Sequence, residues 1–329
     1  MVKQTPLSIL GLGLYLPPSV DVLQIAKAAG GDTTDYRGWP RTVHALEGDQ
    51  PSTMGARALQ QALSASGVSP KDLKLVIFSG LSRDYLPSWS VSTEIMKLCE
   101  VPGTCFGMDM TAGCVATLSA LDFIQAWLQV RGGGYAAVIA GERWSHTVDF
   151  ADVGMSGIWA YGDSGGALVV GMNVKQPALM DFAGAEIRTV PDNNGNVLIP
   201  YGGTRQPTAP AGVNPHLRTL APRVKKEVTS SYRAGYSAAY AAMQERFNAK
   251  PERLLCNQST PQIVGMLSEL FNLQGRGLAT GEHTGHLGGT DVLVGLQQLK
   301  DEGHLDAPIL IGSSTAYAFG TGLLLPPKK

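Results

Sequence analysis

The stretch from Met108 to Trp127, MDMTAGCVATLSALDFIQAW, constrains this chain more than any other. A turn of polar and small residues, Asp109 to Gly113, leads straight into Cys114. Behind it Leu118, Leu121, Ile124 and Leu128 recur at helical spacing, which predicts a buried helix starting at or beside the cysteine. Free N–H groups and the positive end of the dipole at such a helix start favour an anion. A thiol placed there ionises more readily than a free side chain, whose pKa is about 8.5, and becomes a usable nucleophile. The same pattern also suits a small buried cysteine that packs a tight turn.

Composition narrows the classes. With 329 residues, 44% hydrophobic, the chain suffices for a large core and for two domains or one duplicated domain. A formal net charge of -1 without a basic run gives no footprint for nucleic acid or an anionic membrane. Cys99, Cys105, Cys114 and Cys256 show no CxxC spacing and no histidine at finger spacing, so neither a disulfide framework nor a metal site is signalled. The opening MVKQTPLSILGLG lacks a secretion signal, and no segment has the uninterrupted apolar length of a membrane span. These features predict a cytoplasmic globular protein with no cofactor of its own.

Along the chain, strands are predicted at 7–16, 73–79, 136–140, 254–256 and 309–311, with a glycine-rich turn and strand over 159–171. Helices are predicted at 20–30, 54–65, 91–98, after Cys114, and at 232–247, 263–270 and 292–299. A loop holds Asp84, Tyr85 and Pro87, and residues 191–223, rich in Pro, Gly and Asn, read as a long one. The GLG at 11–13 lacks the third glycine of a dinucleotide fingerprint, and Pro17 stands where a helix should begin. Alternating helices and short apolar strands predict an α/β fold. The closing AYAFGTGLLLP echoes YGDSGGALVVG, so two similar halves are expected, 1–174 and 175–329.

Several phrases together resemble the ketoacyl synthase III family of the thiolase superfamily. ILGLGLYLPPSV resembles its first strand and turn, SRDYLPSWSVSTEI the segment before the nucleophile, and MDMTAGCVATLSAL the nucleophile segment. YGDSGGALVVG resembles the end of its first half and AFGTGLLL its last strand. The resemblance implies the duplicated α-β-α-β-α thiolase-like fold and a homodimer. It also implies a Cys114 that accepts an acyl group from a thioester on coenzyme A or an acyl carrier protein.

Two departures bear on chemistry. In CNQSTPQIVGML, Asn257 stands where the family has a histidine, and in GEHTGHLGGTDVLVGL, His286 stands where it has an asparagine. Downstream Asp291 has no counterpart in ordinary synthases. The His-to-Asp phrase resembles the branch that moves acyl groups onto hydroxyl or amine acceptors in natural-product pathways. Such a transfer needs a base for the acceptor's proton, and a histidine held by a carboxylate suits it. Asn257 and His286 together would instead supply two donors to an enolate, as a condensation requires. Asp291 also suits a helix N-cap for 292–299.

Among six histidines, His44, His216 and His304 are expected to be solvated; His146, in GERWSH after a buried strand, suits a structural role or a place at the pocket, and His283 replaces His286 if the phrase is displaced. By resemblance the oxyanion donors are the backbone N–H groups of Cys114 and of one residue in 313–316, here Thr315. Trp39, Arg41 and Arg37 fall in a loop that resembles the pantetheine entrance, and suit surface positions equally. The reading favoured is an acyltransferase in secondary metabolism. The alternatives are a condensing synthase that forms a carbon-carbon bond and an acyl-binding subunit without activity.

Overall fold

Strands that are apolar on both faces must be covered on both sides, and this requirement sets the layering. The computed structural model describes residues 5–86 and 88–328, apart from the side chains of 223–229. Pro87 of the predicted loop lies outside the described residues. The first half carries β1 (Leu7–Tyr15), β2 (Ser19–Asp21), α1 (Val22–Ala28), β3 (Arg41–Val43), α2 (Pro51–Ser66) and β4 (Leu73–Phe78). It continues with α3 (Val91–Leu98), β5 (Phe106–Asp109), α4 (Ala116–Val130), β6 (Gly134–Arg143) and β7 (Asp163–Met172). Next come β8 (Met180–Thr189), β9 (Val197–Leu198), β10 (Thr219–Leu220), α5 (Pro222–Phe247) and β11 (Arg253–Cys256). The chain closes with α6 (Pro261–Leu270), α7 (Gly281–Thr284), α8 (Thr290–Asp301), β12 (Ile309–Thr315) and β13 (Ala318–Leu325).

Nine strands run in the order β11-β12-β13-β8-β1-β7-β6-β4-β5. The pattern repeats about its middle. β1 is antiparallel to β7, β7 to β6, and β6 is parallel to β4. In the same way β8 is antiparallel to β13, β13 to β12, and β12 is parallel to β11. The two runs meet where Leu7, Ser8 and Ile9 pair with Phe182, Asp181 and Met180.

Alternation along the strands assigns the layers. Val138 of β6 and Ile311 of β12 face a central cluster with Leu121 and Ile124 of α4 and Leu293 and Leu296 of α8. The neighbouring Ala137 and Ile139 face α2 and α3, while Leu310 and Phe319 face α5 and α6. The helix pair α4 and α8 is therefore the middle layer of five. The run Gly113–Val130 is the one helix long and apolar enough to cross a membrane among the described residues, and 61% of it is buried as core.

Within the nine-stranded sheet two strands escape the sequence patterns, as do the short β2, β3, β9 and β10 outside it. β5 is four residues long and contains a glycine, and β8 mixes Asp181, Gly184, Glu186 and Arg188 into its apolar positions. Helix α5 starts ten residues before the predicted Tyr232, at Pro222, whose fixed φ suits a first helical position.

Candidate active site

The nucleophile turn is built by glycine and by the second half. Gly113 has φ +64°, and a Cβ there would lie 2.3 Å from Thr315 Oγ1, so only glycine lets the turn press against β12. A single 3-10 turn, Gly113–Val115, then feeds α4. Ser313 Oγ donates to the Cys114 carbonyl at 2.9 Å, tying the turn to the same strand. The predicted helix thus begins two residues past the cysteine, which sits on its lead-in turn.

The phrase GHLGGTD supplies the other side. Gly285 and Gly288 take φ +69° and +62°, bending the chain between α7 and α8 so that Asp291 returns to His286. His286 N donates to the Ala160 carbonyl at 2.8 Å, and Gly162 N donates to the His286 carbonyl at 3.0 Å. Those bonds lock the loop to the end of the first half. His286 Nε2 lies 3.6 Å from Cys114 Sγ, and Nδ1 lies 2.5 Å from Asp291 Oδ2.

Asp291 is fully engaged. Its carboxylate also accepts from Leu287 N at 2.8 Å and Gln258 N at 2.7 Å. It lies inside the first turn of α8, where Gly289 is the N-cap, so the expected cap role does not hold. Desolvation works against an imidazolium at His286, but the Asp291 charge and hydrogen bond, with Cys114 adding, outweigh it and push the histidine up to about 10. The Tyr161 ring meets His286 edge-on at 4.7 Å and Trp144 lies at 5.2 Å, so aromatic walls orient the imidazole.

Asn257 is corrected. Its Nδ2 donates to the Gly288 carbonyl at 2.7 Å, and its Oδ1 accepts from Ser313 Oγ at 2.9 Å and Ser314 N at 2.7 Å. The Ser314 N–H fixes which end of the amide is oxygen. Its hydrogen bonds are therefore spent on scaffolding. Asn257 positions the loops around Asp291 and is absent from the cavity wall.

A cavity of about 530 Å³ opens onto Cys114 and His286. Trp39, Arg41 and Arg37 do not line it, contrary to the expectation of a pantetheine entrance. Trp39 is buried, and its indole N–H donates at 2.6 Å to the carbonyl of Gln258, the residue whose N–H holds Asp291. Arg41 binds Ser19, and Arg37 reaches its neighbour's carbonyl and pairs with exposed Asp35 at 3.9 Å. Thr315 lines the cavity beside Cys114.

Several groups were missed or misjudged. His146 and His216 line the cavity at its open side, His216 exposed as expected and His146 within the pocket's reach; His44 is half-buried against Phe150 rather than solvated. His304 is exposed as expected, and His283 is exposed while His286 is buried, which removes the displaced alternative. Tyr161 and Trp144 stood in quoted phrases, YGDSGG and GERWSH, but no local signal aimed them at His286. Arg218 comes from the long loop, where no periodicity marks it.

Known proteins share this arrangement of layers. A family model described as 3-oxoacyl-[acyl-carrier-protein (ACP)] synthase III matches residues 108–186, from the strand before the nucleophile turn into β8. A β-ketoacyl-[acyl-carrier-protein] synthase III of Chlamydia caviae is 23% identical over 301 residues, covering 89% of this chain and 88% of the relative. The chain is thus similar to synthase III enzymes over most of its length. Its thiolase-like fold is that of synthase III from Aquifex aeolicus, with a TM-score of 0.82 at 20% identity over 97% of this chain and 99% of the other. The priming β-ketosynthase of the R1128 polyketide pathway superposes with a TM-score of 0.85 at 20% identity, covering 99% of each chain.

Proposed function

We propose that this synthase III relative is an acyltransferase. It loads an acyl group from a coenzyme A or acyl carrier protein thioester onto Cys114 and passes it to a hydroxyl or amine. The supporting observation is the Cys114, His286 and Asp291 line, with 3.6 Å and 2.5 Å separations and Asn257 spent behind it. In loading, the proton shared by the Cys114–His286 pair is held on His286 Nε2 while sulfur attacks the thioester carbonyl. That proton then leaves with the carrier thiol. In transfer, His286 takes the acceptor's proton as its oxygen or nitrogen attacks, the carbon–sulfur bond breaks, and Cys114 recovers the proton. Asp291 holds the tautomer and supports the imidazolium. Backbone N–H groups of Cys114 and Thr315 serve as the oxyanion donors in this scheme.

The condensing alternative is favoured by the names of the relatives, which are ketosynthases. It needs two donors on an enolate oxygen, and the Asn257 amide is committed elsewhere. The halves 1–174 and 175–329 act as one unit here, the first giving the nucleophile and the second the base. A homodimer through β5 accords with that strand's place at the sheet edge and with exposed Phe106, Tyr85 and Leu86 nearby.

Intact-mass analysis tests the proposal. Wild type incubated with malonyl and neutral acyl thioesters should gain acyl mass, and Cys114→Ala should gain none. Loss of the adduct on adding an alcohol or amine, without carbon dioxide release, is the expected result. Cys114-dependent carbon dioxide release with chain extension would establish condensation instead.

A further inference from the structure

The cavity wall beside the catalytic line carries two arginines with buried donors that no hydrogen bond meets. Arg218 comes from the loop between β9 and β10 and is anchored by its backbone N–H to the Thr147 carbonyl at 3.0 Å. Its guanidinium carbon lies 4.6 Å over the Trp144 ring and 5.4 Å from the centre of Tyr161. Those same rings flank His286, so the cation stands one aromatic side chain away from the base. Arg218 Nη1, Arg143 Nε and Trp144 Nε1 are buried with no hydrogen-bond partner. Among the described residues no Asp or Glu lines the cavity, and neither arginine forms an ion pair.

Arg83, on the same wall, shows the contrast. Its guanidinium is used on the carbonyls of Gly80 and Ser82 and on Thr111 Oγ1. Glu142, the buried carboxylate of this region, accepts its hydrogen bonds from Leu81 N, Ser82 N and Ser82 Oγ and acts on Arg218 only through its charge, without an ion-pair contact. Buried cationic donors left without an acceptor are costly, and a planar fork matches a carboxylate.

We propose that Arg218 and Arg143 receive a carboxylate borne by a substrate, so that one partner in the transfer is an acid as well as a thioester or an alcohol. The inference rests on the acyl-transfer reading and deepens it. Two sources share the chemistry: the acyl group as a half-thioester of a dicarboxylic acid, or an acceptor that is a hydroxy or amino acid.

The test compares acidic substrates with neutral isosteres that share every other group. Succinyl-CoA is set against 4-methylpentanoyl-CoA, and malonyl-CoA against 3-methylbutanoyl-CoA, following Cys114 acylation by intact mass. An acidic acyl group predicts at least a tenfold preference for the acids in wild type, on the scale of one charge-assisted hydrogen bond. In Arg218→Gln that preference should vanish, and in Arg218→Lys it should be intermediate. An acidic acceptor predicts no such preference in loading. Discharge of a neutral acyl-Cys114 would then be faster with 3-hydroxybenzoate than with 3-hydroxybenzamide, again only while Arg218 is present.

Binding of the same thioesters and acceptors to Cys114→Ala, by calorimetry, makes the comparison without turnover. Failed loading would therefore strike the transfer reading and leave the carboxylate comparison standing. Arg218→Gln weakening all CoA donors equally would assign the cation to the carrier's phosphates and overturn the proposal. Absence of any acid preference in both arms would overturn it too.

Discussion

The floor and the upper wall of one cavity are built on opposite terms. On the floor the polar groups behind Cys114 answer one another. Asp291 accepts from His286, Leu287 and Gln258, and Asn257 is satisfied by Gly288, Ser313 and Ser314. On the wall, Arg218, Arg143 and Trp144 keep buried donors that no described residue meets. Spent hydrogen bonds hold geometry, which is what a base of fixed tautomer needs. Unspent ones hold affinity for a ligand. The comparison separates residues that make the site rigid from residues left to choose its substrate.

The sharpest break in that comparison is His286→Ala. Loss of the base should lower turnover by about 10³-fold or more, with acyl-Cys114 accumulating slowly and then stalling on addition of acceptor. Normal turnover, measured by discharge of the acyl mass, would remove His286 from the mechanism.

Asp291→Asn tests whether the floor is electrostatic or merely packed. Turnover should fall between His286→Ala and wild type, and stability should fall by about 3 kcal/mol, as for breaking a buried pair. The pH dependence has a definite sign. Because His286 is raised from 6.5 to about 10 in the folded protein, its stabilisation is complete below about 6.5 and lost as pH climbs toward 10. Urea denaturation should therefore show the wild-type advantage over Asp291→Asn shrinking across that window. A constant difference would leave the ion pair no part in it.

The smallest effect is expected outside both regions. Arg37→Ala and Arg41→Ala should leave KM for a coenzyme A thioester within about twofold, since surface pairs of this kind contribute little. A KM rise of tenfold in initial-rate measurements would return that loop to the thioester path.

Much of the fold was legible because apolar periodicity is strong where segments are buried on every side. The helix behind Cys114 and the strands β4, β6 and β12 are buried over most of their length, and their patterns announce them. β8 was not legible because it pairs along its length while carrying Asp181, Glu186 and Arg188 at half-buried positions. In the site, Cys114, His286 and Asp291 were visible as residue types in phrases that resemble a family. Trp39 was visible too, but its job was misassigned. An indole in a polar loop reads as a surface ring, whereas here it is buried and holds the Gln258 carbonyl. Arg218 gave no sign at all.

By itself the sequence determined the layered α/β build, the nucleophile turn and the glycine-bent phrase that returns Asp291 to His286. These depend on neighbours along the chain, where periodicity and φ preferences act. Tertiary structure alone decided that Asn257 is scaffolding, that Thr315 closes on Gly113, and that a loop cation stands over the rings beside His286. Such facts depend on which hydrogen bonds are already taken when distant segments meet, and no local pattern records that.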